Sequence, residues 1–177
     1  RAIWRRYVAA MTVLLLSLTT SAQAQPKPLN IVPSLVAESA RPAAGSRVML
    51  AIDFRPQPGW HGYWSNPGEA GLEPRFDWSL PKGASVGAAQ FPVPQTLVVA
   101  GLMNHVYEGP HALLVPLTLP AGLATGTRLP VALQLDFLAC TDKICVPQSA
   151  ALALELIVGD GTPNQRTAFD AWRARLP

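Results

Sequence analysis

Charge, aromatic rings, cysteine and histidine are all scarce in this chain. Charged side chains make up 14% of the 177 residues and aromatic ones 7%. No stretch is dense enough in Lys and Arg to build the basic face that nucleic-acid binding requires, so nucleic acid is not an expected partner. No run reaches the roughly 18 continuous apolar residues of a membrane helix. There is no G-x-S-x-G elbow and no glycine-rich phosphate loop, which leaves hydrolase and nucleotide chemistry without a motif. Two cysteines alone cannot complete a structural zinc site, which takes four ligands.

What is present begins with a targeting pattern. Arg1, Arg5 and Arg6 form a basic start, Val8 to Leu18 is a short apolar run, and Ala22-Gln23-Ala24 has the small residues that a signal peptidase reads. Residues 1–24 are therefore expected to be a signal peptide, placing the remainder in the periplasm. That segment carries three of the fourteen basic residues and none of the eleven acidic ones, so the remainder is balanced at eleven of each. Residues 25–162 are expected to form one domain and residues 163–177 a short helix or helical linker to further domains.

Proline is abundant, with 18 residues. It disrupts helix interiors but is accepted at strand ends, edges and turns, which favours β-structure. Gln25 to Pro33 holds three prolines and reads as an extended leader. Val48–Phe54, Arg75–Trp78, Ser85–Phe91 and Ala112–Leu119 read as strands, Pro116 marking an edge or a bulge. Trp60 to Trp64, if extended, puts Trp60, Gly62 and Trp64 on one face and His61 and Tyr63 on the other. In Leu129–Leu138, Val131, Leu133, Leu135 and Phe137 alternate in phase. In Ala151–Val158, Leu152, Leu154, Leu156 and Val158 do the same. Several short strands separated by Pro/Gly turns predict an all-β sandwich. Phe169, Trp172 and Leu176 recur at helical spacing, with Thr162 or Asn164 as candidate caps.

The two cysteines lie between the best-patterned strands, so Cys140 to Cys145 is expected at a hairpin tip. Their four-residue separation is not that of a thioredoxin motif. In an oxidising compartment they are expected to pair. Closing so short a loop stabilises a fold by only about 2 kcal/mol, and an exposed loop is where a partner thiolate could reach a sulfur. Lys143 would favour a nearby thiolate and Asp142 would oppose it. On these residues alone, an exchanging pair and a structural staple are equally supported.

One pattern goes further. Trp60-His-Gly-Tyr63-Trp64-Ser-Asn-Pro67-Gly68-Glu-Ala-Gly71-Leu72 is followed by Phe76-Asp77-Trp78 and Phe91-Pro92-Val-Pro94. Next come Tyr107-Glu108-Gly109 with Leu113 to Pro116, then Cys140, Cys145 and Pro147. In order and content this resembles the N-terminal periplasmic domain of DsbD-type thiol:disulfide interchange proteins, especially the ScsB-like branch. The resemblance implies an immunoglobulin-like β-sandwich acting as a protein-disulfide reductase domain, with Cys140 and Cys145 as its catalytic pair and no cofactor. It implies Cys145 as the partner-facing sulfur and Cys140 as the resolving one. It implies electrons received from a membrane domain and a C-terminal thioredoxin-like domain, neither within these residues, and passed to periplasmic thioredoxin-fold proteins. Members of the family carry a loop whose aromatic residue covers the cysteines. The equivalent stretch here is about Gly101 to Tyr107, where Leu102, Met103 and Tyr107 are the candidate covering residues.

Two other classes of function stay open. Met103, His105 and His111 lie close in sequence and are ligand types that suit copper, which would make a copper-binding module. A non-catalytic sandwich with a structural disulfide would instead use the Trp/Tyr run at 60–64 as a contact face or as core. Glu69, Glu73, Asp77 and Glu108 show no readable pairing.

Overall fold

The computed structural model describes residues 27–177; the expected signal segment, residues 1–24, lies outside them. The strong alternation in the second half produces the two longest strands, β9 (Arg128–Cys140) and β10 (Cys145–Ile157), paired in register over their whole length. Leu129, Val131, Leu133, Leu135 and Phe137 all point inward from β9. Strand β4 (Arg75–Ser79) pairs with the other edge of β9 and completes a three-stranded sheet.

The facing sheet contains β1 (Ile31–Ala37), β2 (Arg47–Pro56), β8 (His111–Thr118) and the two-residue β5 (Ser85–Val86), in the order β1-β2-β8-β5. Leu50, Ile52, Leu113, Val115 and Leu117 from this sheet meet the β9 side chains in one apolar core. Among the described residues all strand pairings are antiparallel and there is one short helix; the fold is an immunoglobulin-like β-sandwich. A third sheet of β3 (Gly62–Gly68), β7 (Leu102–Tyr107) and β6 (Gln95–Val99) stands at the end of the sandwich where the cysteines lie.

Several elements depart from the sequence reading. The proline-rich leader turns into β1 at Ile31, because the buried Gln148 carboxamide accepts hydrogen bonds from the Asn30 and Ile31 N–H groups and β2 supplies a full pairing edge. Of Ser85–Phe91, only Ser85 and Val86 form a strand. Gln90 then makes a single bridge to Leu114, as an extended segment beside β8. Pro116 occupies a buried position in β8.

The tail forms α1 (Arg166–Arg173), but neither Thr162 nor Asn164 caps it. The Asn164 side chain instead accepts a hydrogen bond from the Ala40 N–H, and the Thr162 carbonyl accepts one from the Ser39 hydroxyl. The helix docks on the outer face of the four-stranded sheet. Phe169, fully buried, packs there with Ala51, Ala112 and Leu114, and Trp172 and Leu176 flank it. At the helix end, the Arg173 guanidinium grips both carboxylate oxygens of Glu38.

Candidate active site at the hairpin tip

The cysteines occupy the last rung of the β9–β10 ladder, Cys140 opposite Cys145. Only Thr141 to Ile144 turn the chain. The Thr141 N–H donates to the Ile144 carbonyl (2.8 Å), while the Thr141 hydroxyl oxygen accepts from the Lys143 and Ile144 N–H groups (3.1 Å each). A four-residue connection therefore puts both cysteine side chains on one face of the hairpin, as directly opposed residues must be. The backbone of Cys140 is spent in the other direction: its N–H and C=O exchange hydrogen bonds with His61 (3.1 and 2.9 Å). Cys140 and Cys145 are thus a non-hydrogen-bonded pair, the type in which side chains come closest. Their Cα atoms are 4.1 Å apart and the sulfurs are joined in a disulfide.

The two sulfurs have different surroundings. Cys140 is 1% exposed and packs with Tyr63, Val106 and Leu138, whereas Cys145 is exposed at the mouth of an open cleft of about 220 Å3. That cleft lies between the hairpin tip and the β6–β7 turn, with His61, Tyr63, Asn104, Ala100 and Leu102 on its walls.

The Trp-His-Gly-Tyr-Trp and Asn-Pro-Gly segments build the rest of the site. His61 and Tyr63 share the face that looks toward Cys140, with the His61 Nε2 and the Tyr63 hydroxyl 3.3 Å apart. Trp60, half-buried, packs against the main core instead, and the half-buried Trp64 meets the His105 ring. Burial lowers the His61 pKa, opposed by the negative charge of Glu108, and burial raises that of the Tyr63 phenol. Gly68 is left-handed (φ +87°), and a Cβ there would lie 2.4 Å from the Met103 carbonyl oxygen. At Gly71 a Cβ would lie 2.1 Å from the Tyr63 ring. The buried Asn104 side chain accepts from the Ala70 N–H and donates to the Leu102 carbonyl, tying this loop to β7. The Glu69 carboxylate accepts from the Met103 N–H.

The candidate covering residues are separated by this arrangement. Leu102 lines the cleft and is 42% exposed; Met103, equally exposed, is not on the cleft wall. Tyr107 is buried, its hydroxyl donating to the Pro92 carbonyl at 2.6 Å, and its ring stacks on His111. The candidate copper ligands are also dispersed in role. His111 is enclosed between Phe54 and Tyr107, with its Nδ1 2.9 Å from the Gly109 carbonyl, while His105 Nδ1 is 2.9 Å from the Asn66 carbonyl and its ring meets Trp64. Among the described residues, no three His, Cys, Asp or Glu side chains gather as a metal-binding group.

The family model for the N-terminal domain of the thiol:disulfide interchange protein DsbD matches residues 32–156, from β1 through β10. The chain belongs to the DsbD N-terminal family. Cys140 and Cys145 both fall within the matched span. Among solved structures, the N-terminal periplasmic domain of ScsB from Proteus mirabilis aligns over 88% of the chain at 20% identity with a TM-score of 0.62, which reflects a shared fold. The chain spans 57% of that structure's length. The reduced DsbD N-terminal domain of Neisseria meningitidis aligns over 75% of this chain and 87% of its own, at 13% identity and a TM-score of 0.39. The complex of the DsbD and PilB N-terminal domains from the same organism aligns over 80% of this chain and 95% of its own, at 16% identity and a TM-score of 0.41. No curated protein matches the chain by sequence. Among the described residues, no helix is long and apolar enough to cross a membrane.

Sequence reasoning singled out the cysteine pair but not His61 or Asn104, which share its cleft. The available signal was the shared face of His61 and Tyr63. The partner of that face is supplied by strands far away in the chain.

Proposed function

We propose that this domain is a protein-disulfide reductase of the bacterial periplasm, passing electrons to partner proteins through the Cys140–Cys145 pair. The observation that carries this reading is the asymmetry of the pair: Cys145 is exposed at a cleft and Cys140 is sealed behind it. In the dithiol form, the Cys145 thiolate attacks one sulfur of a partner disulfide, and the partner's other sulfur leaves as a thiolate. Cys140 then attacks the Cys145 sulfur of the mixed disulfide, re-forming the internal bond and releasing the partner as a dithiol. Two electrons and two protons pass to the partner, and no cofactor is required. The expected recipients are oxidised periplasmic thioredoxin-fold proteins, and the expected donors are a membrane domain and a thioredoxin-like domain of a longer protein.

The fold also argues against a staple. Strands β9 and β10 are already paired over their full length, and a bond across so short a loop adds only about 2 kcal/mol. A glutathione redox titration of the purified protein, read by thiol alkylation and mass, tests the reading. A midpoint of about −180 to −270 mV supports an electron carrier, and one below about −300 mV identifies a structural bond and overturns it.

A further inference from the structure

Cys145, Cys140 and His61 stand in one row across the site end of the fold, and Glu108 follows directly after β7. Cys145 is opposite Cys140 on the β9–β10 ladder, and Cys140 is opposite His61 through two backbone hydrogen bonds. On its other side, the lead-in to β3 runs against β7 with Gly62 opposite Tyr107 and Tyr63 opposite Val106. The ladder ends there; the same register carried one residue past its end would set His61 opposite Glu108, whose charge acts on the imidazole. Residues directly opposed in a sheet project to the same face, with Cβ atoms about 5 Å apart. The order Glu108–His61–Cys140–Cys145 therefore puts an imidazole beside the buried cysteine and a carboxylate behind the imidazole.

We propose that His61, supported by Glu108, is the proton acceptor that converts Cys140 from thiol to thiolate in the resolving step. This rests on the exchange reading above and assigns the group that makes its second half work. Cys145 is open to solvent and can lose its proton to water. Cys140 is enclosed by Tyr63, Val106 and Leu138, away from solvent that could take its proton. In the mixed disulfide the proton moves from the Cys140 sulfur to the His61 imidazole. The Cys140 electron pair forms the bond to the Cys145 sulfur, the Cys145–partner bond breaks, and the partner leaves as a thiolate. The imidazolium then passes its proton to solvent through the cleft that His61 lines.

The charges facing His61 fit this role. Tyr63 on its own strand offers a neutral hydroxyl, and Lys143 and Asp142 of the hairpin tip line the same cleft with opposite signs. Glu108 is the charged group that acts on the imidazole, favouring its protonated form, while burial favours the neutral form. His61 is therefore neutral before the step, as an acceptor must be, and Glu108 stabilises the cation formed during it.

The test is a stopped-flow reaction of the reduced full chain with one equivalent of a small aromatic disulfide whose thiolate product is coloured. Attack by Cys145 releases a first thiolate, and attack by Cys140 on the resulting mixed disulfide releases a second. His61→Gln is expected to leave the first phase in place. It should slow the second about 100-fold, the lower end for a positioned proton acceptor, and flatten its pH dependence. Glu108→Gln, at an exposed position that the fold tolerates, is expected to slow the second phase less and to move its pH inflection downward. If both variants keep the wild-type second phase and inflection, the assignment of His61 falls while the exchange reading stands. If the wild-type protein shows no first phase, the exchange reading itself falls and takes this inference with it. Should His61→Gln fail to fold, the inflection in Glu108→Gln decides, an unmoved inflection overturning the proposal.

Discussion

Cys140 and Cys145 are partners on a single rung of one hairpin, yet the first is 1% exposed and the second is open to solvent. The difference comes from what lies beyond each strand. β9 is flanked at Cys140 by His61 and covered by Tyr63 and Val106, whereas β10 is the outer strand of its sheet. An exchange reaction needs such an arrangement, because one sulfur must meet a partner while the other waits out of reach.

That asymmetry predicts how single-cysteine variants divide. Cys140→Ser leaves the exposed Cys145 free and is expected to accumulate a mixed disulfide with oxidised glutathione. Cys145→Ser leaves a buried thiol and should trap little. Intact-mass spectrometry after quenching distinguishes the two, and equal trapping would contradict the assignment of Cys145 as the partner-facing sulfur.

Gly68 cannot be replaced cheaply. An alanine would have to hold a left-handed backbone and set its Cβ against the Met103 carbonyl and the Asn104 Cα. Gly68→Ala is expected to destabilise the fold by about 2–4 kcal/mol, combining backbone strain and overpacking. A lowered urea midpoint measures it. Gly71→Ala acts on the site itself, pushing the Tyr63 ring out of its place.

Stability should fall on mild acidification, and His111 is the main reason. Burial between Phe54 and Tyr107 lowers its pKa to about 4. Below about pH 6.5 the unfolded chain binds a proton at His111 that the folded chain does not. The stability present at neutral pH is therefore lost progressively as pH falls from about 6.5 to about 4, by roughly 3 kcal/mol in all. His61, shifted in the same direction, adds to the trend. Urea unfolding of wild type and His111→Gln across this range should show a shallower slope for the variant.

The C-terminal helix acts as a lid on the four-stranded sheet. Phe169→Ala is expected to cost about 3 kcal/mol, since the ring is fully buried over Ala51, Ala112 and Leu114. The expected signs are a lower melting temperature and increased binding of a hydrophobic dye. An unchanged melting temperature would mean that the helix is not docked in solution.

The amino-acid sequence alone determined those features that depend on near neighbours. The in-phase apolar residues of β9 and β10 dictate two half-buried strands, since side chains two apart share a face. With a four-residue link, the same alternation brings the cysteines together. The ordered motifs that contain Gly68 and Gly71 were enough to recognise the family. Three things came only from the tertiary structure. The leader becomes β1 because Gln148 and β2 satisfy its backbone. Of the candidate ligands, the exposed Met103 and the His105 beside Trp64 lie apart from His111, which is buried against the candidate cover Tyr107, because β7 and β8 belong to different sheets. His61 comes to lie beside Cys140 through a bridge between distant segments. Burial and cross-strand adjacency are set by chain segments that no local period connects, and so the cysteine pair was legible in the sequence while its surroundings were not.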